Sequence, residues 1–167
     1  PGDTVANLMV TKIGADGMVC VYASQGTELI IDVAGYFPTG NTYNPLVPAR
    51  LMDTRVKGST IDGLFLGDGV REAGEVTELT VTNRGGVPIR ARTVVLNVTV
   101  TEPSGAGFVT VYPCGVATPL ASNLNFEAGT TAANAVVVKV GDDGKVCFFS
   151  SRSTQLIVDV NGYFPSG

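Results

Sequence analysis

The chain has 167 residues, 44% of them hydrophobic and 16% charged, with a net charge of −4 and no histidine or tryptophan. That length and apolarity support a buried core without a covalent or metal staple and exclude a disordered chain. The acidic balance and the absence of a basic run exclude a nucleic-acid groove or an anionic membrane surface as the natural partner. No apolar run reaches the ~18 residues a bilayer span needs. Without histidine, the commonest proton-transfer group and metal ligand is missing. The chain opens PGDT rather than with methionine, which reads as a processed or trimmed start.

The first segment is meaningful only beside the last. Residues 4–40 align with residues 131–167 without a gap and share 21 identities in 37 positions, including IDVAGYFP against VDVNGYFP. This is an internal repeat with an offset of 127 residues. It divides the chain into a partial unit, residues 1–40, equivalent to 128–167, and a complete unit, residues 41–167. An offset phase, with a domain over residues 4–126, is the alternative. Either phase implies a tandem parent. A segment of strands without its neighbours exposes unpaired edges that call for a partner, either another repeat unit or another copy of the chain.

Next comes PARLMDTR (48–55). If this stretch is extended, Asp53 and Arg55 share a face, and Arg50 stands one residue off it. An ion pair that docks the segment is the structural reading; contact of Arg50, Asp53 and Arg55 with a ligand is the functional one. Residues 56–75 hold five glycines and alternate poorly. They read as a long loop with at most a short strand around Leu64–Leu66, and as the best prior for a binding surface.

From there apolar residues recur with period two. Strands are expected at 76–82, 93–101, 108–112, 122–126, 134–140, 145–150 and 155–160. Val94, Leu96, Val98 and Val100 should face one way, as should Leu156, Val158 and Val160. GADG (14–17), NRGG (83–86), PSGAG (103–107) and GDDG (141–144) read as hairpin-type turns, with Asp and Gly accepting positive φ. The strings ending GYFP read as a last strand plus exit turn, with an aspartate capping backbone N–H groups and an aromatic pair anchoring it. The fold class is all-β: an antiparallel β-sandwich, Ig-like or jelly-roll-like, with a β-trefoil as the alternative.

Three cysteines follow the repeat. A disulfide between Cys114 and Cys147 is the simple expectation for an exported unit, leaving Cys20, the equivalent of Cys147, odd. An offset phase would pair Cys20 with Cys114. Zinc spacing is absent, and no cofactor or metal is expected. Asp32 and Asp159 could flank a glycosidic bond, but backbone capping is the better account. Ser24, Ser150 and Ser151 have no histidine to activate them. Asp16, Asp142 and Asp143 read as turn formers rather than calcium ligands. Tyr36 and Tyr163 could stack on sugars, although anchoring of a terminal strand fits their position better. Asn97-Val98-Thr99 is a glycosylation sequon placed in a central strand, which argues against its use.

PARLMDTR, VVLNVTVTEPSGAGFVTVYPCG, ASNLNFEAGTTAANAVVVKV and IVDVNGYFP together resemble a β-rich repeat of secreted and cell-surface proteins of Actinobacteria, which in some occurrences accompanies cell-wall hydrolases or peptidases. The resemblance covers residues 46–165, and residues 4–38 match its second half. It implies export, tandem arrangement and an accessory role at or outside the wall, and it carries no catalytic motif. The expectation is an extracellular, non-enzymatic structural or adhesive module that associates with neighbouring units. A module binding cell-wall or other polysaccharide is the alternative.

Overall fold

Alternation of apolar and polar side chains produces eight strands: β1 (Asn44–Asp53), β2 (Val76–Thr80), β3 (Ala91–Thr101), β4 (Gly107–Pro113), β5 (Leu124–Phe126), β6 (Ala132–Lys139), β7 (Lys145–Ser150) and β8 (Gln155–Pro165). The computed structural model describes residues 43–165 throughout, and before them positions 7, 8, 10, 13, 14, 16–21, 23, 25–29, 31, 33 and 36. Two four-stranded antiparallel sheets, β1-β8-β3-β6 and β2-β7-β4-β5, form a β-sandwich. The first strand pairs with the last, the second with the seventh, the third with the sixth and the fourth with the fifth. That nesting is jelly-roll order, which removes the trefoil alternative.

The predicted inward faces are the core. Val94, Leu96, Val98 and Val100 of β3, Leu156, Val158 and Val160 of β8, and Val146 and Phe148 of β7 are all fully buried in one cluster. Burial of each such side chain contributes about 1.5–3 kcal/mol.

Two sequence expectations need correction. NRGG, PSGAG and GDDG do not close hairpins, because the strands on either side of each lie in different sheets. The GDDG turn is tight: Gly144 N–H donates to the Gly141 carbonyl at 3.0 Å and Gly141 N–H to the Lys145 carbonyl at 2.9 Å. Periodicity reports which side chains face inward but not which sheet receives the strand. Only β4 and β5, consecutive in sequence, also pair side by side. Second, NGYFP is not an exit turn, since β8 runs through it to Pro165. Gly162 is needed there because a Cβ would lie 2.5 Å from the Tyr43 hydroxyl and 2.6 Å from its ring. The Tyr43 ring thus covers the strand at its glycine and packs against Phe164 at 5.2 Å. PARLMDTR is extended over residues 48–53, where it forms most of β1, an edge strand.

Cys114 and Cys147 are disulfide-bonded, and Cys20 is exposed and free, so the offset pairing of Cys20 with Cys114 does not form. The bond lies with Tyr112 and Phe149 on the outer side of the second sheet. From it the β4–β5 linker folds back over that sheet, where the Tyr112 and Thr118 hydroxyls meet at 2.8 Å and Val111 N–H donates to Asn123 Oδ1 at 2.7 Å. Among the described residues of positions 7–36, none belongs to a strand.

The disulfide closes a span of 33 residues, for which loop-closure entropy gives about 3–4 kcal/mol. Cys114→Ser/Cys147→Ser should therefore lower the urea-derived unfolding free energy by about that much, with the far-ultraviolet β signal retained. A loss below about 1 kcal/mol would show that the linker is held by its hydrogen bonds alone.

Candidate functional site

Asp53 is the last residue of β1 and is completely buried. A carboxylate cannot stay ionised there without cations and N–H donors. Arg55 supplies Nε at 2.8 Å to Oδ1 and Nη2 at 2.7 Å to Oδ2, a two-point grip, and its backbone N–H adds a contact at 3.3 Å. Arg50 Nη1 donates to Oδ2 at 3.3 Å. The alternation reading placed Arg50 off this face. The register explains the difference: Arg50 faces Asp159 and Met52 faces Val158, so Leu51 is an extra residue on β1 and the strand bulges. A bulge re-aims the side chains beside it, and here it brings Arg50 and Asp53 together.

Arg50 also grips Asp159, with Nε to Oδ1 at 2.8 Å and Nη2 to Oδ2 at 3.4 Å. Asp159 is therefore half of an ion pair between β1 and β8, not a backbone cap. Asp32, its repeat equivalent, lies outside the described residues, as do Ser24 and Phe37. The Arg50–Asp159 pair forms one wall of a shallow groove of about 450 Å³, completed by Pro48, Ser59, Thr60 and Ile61.

The 56–75 loop, expected as a binding surface, is tied to the same cluster. Asp53 N–H donates to the Phe65 carbonyl and Gly67 N–H to the Asp53 carbonyl, both at 3.0 Å, and Ile61 N–H donates to the Arg50 carbonyl at 2.9 Å. Gly58 passes so close that a Cβ would sit 2.6 Å from Asp53 Cγ.

A second cluster escaped the sequence reading. Arg84, within the NRGG turn, is buried and donates to Asp62 through Nε at 2.7 Å and Nη2 at 2.8 Å, to the Thr80 carbonyl at 2.9 Å and to the Leu51 carbonyl at 2.8 Å. Its guanidinium stands 4.8 Å from the ring centre of Phe65, a residue held at φ 54°. That left-handed conformation costs a non-glycine residue about 1–3 kcal/mol, and the two contacts hold it in place. Nothing in the spacing of Asp62 and Arg84 announces the pair.

The remaining candidates are dispersed. Tyr163 is half-buried and packs against the core, and Tyr36 is exposed. Asp16 and Asp143 each accept from the backbone N–H two residues on, Met18 at 3.3 Å and Lys145 at 3.2 Å, as turn formers do. Asn97 sits in β3 between β8 and β6. Among the described residues, no group of three potential ligands is arranged to hold a metal ion. No protein-family model matches the chain, and no curated protein matches it either.

The Arg55 guanidinium holds the Asp53 carboxyl below its ordinary value, and Arg84 holds Asp62 at about 2. Both carboxyls are lowered in the fold, so their contribution is complete above the ordinary value of 3.8 and is lost as pH falls through the lowered ones. Stability should be level from neutrality to about pH 5 and fall progressively below it. Asp53→Ala, which takes from Arg55 its carboxylate and from Arg50 one of its two, should cost about 1–3 kcal/mol by urea unfolding at pH 7 and flatten the acid limb. A cost below about 1 kcal/mol, with the acid limb unchanged, would show that the pair behaves as a surface one.

Proposed function

We propose that this chain is a non-enzymatic structural or adhesive repeat module that works outside the cell by associating with neighbouring units of its own kind. The observation that carries this reading is the repeat laid onto the fold: residues 5–38 restate residues 132–165, which are β6, β7 and β8. A chain that spells three of its eight strands twice is built for a row of units. The acidic and basic side chains of the candidate site support the same reading, since Asp53, Asp62, Asp159, Arg50 and Arg84 are engaged with one another in holding loop and strand. The disulfide suits an oxidising compartment, and the resemblance to actinobacterial surface repeats points the same way.

One observation favours polysaccharide binding as a second reading. A hollow of about 460 Å³ lies between the second sheet and its covering linker, lined by Phe108, Phe149, Pro119 and Leu120 beside the hydroxyls of Thr110, Thr118 and Ser122. Aromatic and aliphatic surface beside hydroxyls suits the apolar face of a sugar ring.

Sedimentation at several protein concentrations, with and without reductant, should show association that grows with concentration and that reductant weakens by opening bridges through Cys20. A monomer under every condition would overturn the associating module. Retention on peptidoglycan, cellulose or chitin that Phe149→Ala abolishes would establish the second reading, and passage through all three columns would discard it.

A further inference from the structure

The proposed array leaves open how units join, and three observations on residues 7–36 bear on it. First, the repeat offset places Val21, Leu29, Ile31 and Val33 on Phe148, Leu156, Val158 and Val160. Those four positions of the sandwich are 0% exposed, whereas Leu29 is 57% and Val33 85% exposed. Second, the turn equivalent to the β6–β7 corner is already formed. Gly14 N–H donates to the Met18 carbonyl at 2.8 Å and Gly17 N–H to the Gly14 carbonyl at 3.0 Å, the pattern made by Gly141, Lys145 and Gly144 at 2.9 and 3.0 Å. The glycines at the two corners match as well, with φ 79° at Gly17 and 78° at Gly144. Third, β6 pairs with β3, β7 with β2 and β4, and β8 with β1 and β3; none of the three pairs with another. A β6–β8 segment has the turn and the apolar faces of a sandwich but cannot make one ladder hydrogen bond from strand to strand within itself.

We infer that residues 5–38 are the β6–β8 part of a second jelly roll, completed by a β1–β5 segment of the same repeat type from an adjacent unit. This rests on the array reading and specifies its joint. A second copy of these 167 residues cannot complete every unit. Each copy holds one β1–β5 set, residues 44–126, and two β6–β8 sets. Any exchange among copies therefore leaves one β6–β8 set per chain uncovered. The partner's chemistry follows from the equivalences. It carries an arginine where this chain has Arg50, to meet Asp32, the counterpart of Asp159. It carries a cysteine where this chain has Cys114, to meet Cys20, the counterpart of Cys147. Closing that bond takes two protons and two electrons from the paired thiols and passes them to an external small-molecule disulfide, which is reduced to two thiols.

The test places residues 43–127 directly ahead of Pro1, which continues the repeat without a gap because Pro1 is the counterpart of Ala128. The two-unit chain is folded in oxidised and reduced glutathione and compared with the 167-residue chain. Cys20 should lose its reactivity and map as bridged to the added copy of Cys114. The amides of residues 18–33 should exchange at least about a hundredfold slower, as members of a cooperative unit. Cys20→Ser in the two-unit chain should keep that protection and leave one added cysteine reactive. Continued reactivity of Cys20, or unprotected 18–33 amides beside a protected 43–165 body, overturns the inference. So does loss of protection in both regions, since completion should stabilise, or protection that vanishes with Cys20→Ser, which would reduce the joint to a covalent tether. If the two-unit chain stays open at residues 18–33 yet the 167-residue chain still associates, the array reading stands and only the strand joint falls.

Discussion

A fully buried carboxylate at the end of an edge strand organises one end of this sandwich. Asp53 can be ionised there only if cations come to it, and everything around it is arranged to that end. Arg55 turns back on it from two residues downstream, and the bulge at Leu51 swings Arg50 onto it from three residues upstream. The loop that follows is pulled in over the same carboxylate, close enough at Gly58 that no side chain fits. A buried ion pair of this kind is weak evidence for net stability, because desolvation offsets much of the attraction. Its consequence is positional. β1 has β8 on one side only, so its register rests on fewer contacts than that of a central strand. Because Arg50 on β1 grips Asp159 on β8, a slip of one strand along the other would break that pair and draw Arg50 off the groups that fix it.

The same division of labour recurs around the molecule. The central strands are held by period-two burial, which needs no particular pair of residues. The irregular connections are each fixed by a specific polar or covalent contact. Arg84 fastens the 56–75 loop and the turn after β2 to the carbonyls of Leu51 and Thr80. The disulfide and Asn123 fasten the β4–β5 linker over the second sheet. These clamps govern the two concavities as well. The groove beside Arg50 and the hollow beside Phe149 both lie where a clamped connection meets the outer face of a sheet.

This division explains what could be read in advance. The strand faces of β3 and β8 were legible because burial and alternation are the same physical fact, and the Cys114–Cys147 bond followed from their sharing one repeat unit. Sheet membership was not legible. A glycine turn such as GDDG looks the same in sequence whether it closes a hairpin or turns a corner between sheets. The Arg50–Asp53 contact was misread because a single extra residue at Leu51 inverts the alternation. Arg84–Asp62 joins residues separated by a strand and a loop, and no local pattern couples them. NGYFP looked like a turn because of its glycine, which in fact makes room for Tyr43, a ring from the far end of the domain.

Jelly-roll nesting also gives the repeat its weight. In a meander, three consecutive strands pair with one another, and a fragment of three carries most of its own hydrogen bonds. In this order the first strand waits for the last, with Asn44 facing Tyr163, and the third waits for the sixth and eighth. A division after β5 therefore cuts every ladder of the first sheet and all but the β4–β5 ladder of the second. Neither portion can satisfy its backbone alone, and each presents unpaired strand edges. The same nesting makes folding depend on contacts distant in sequence, which form slowly and leave strand edges open meanwhile. In a row of near-identical units, such edges can pair with the wrong neighbour. Local turns that commit a portion early limit that error; in the proposed array the glycine corner at Gly14–Gly17, which carries the same hydrogen bonds as its counterpart in the finished sandwich, would be one.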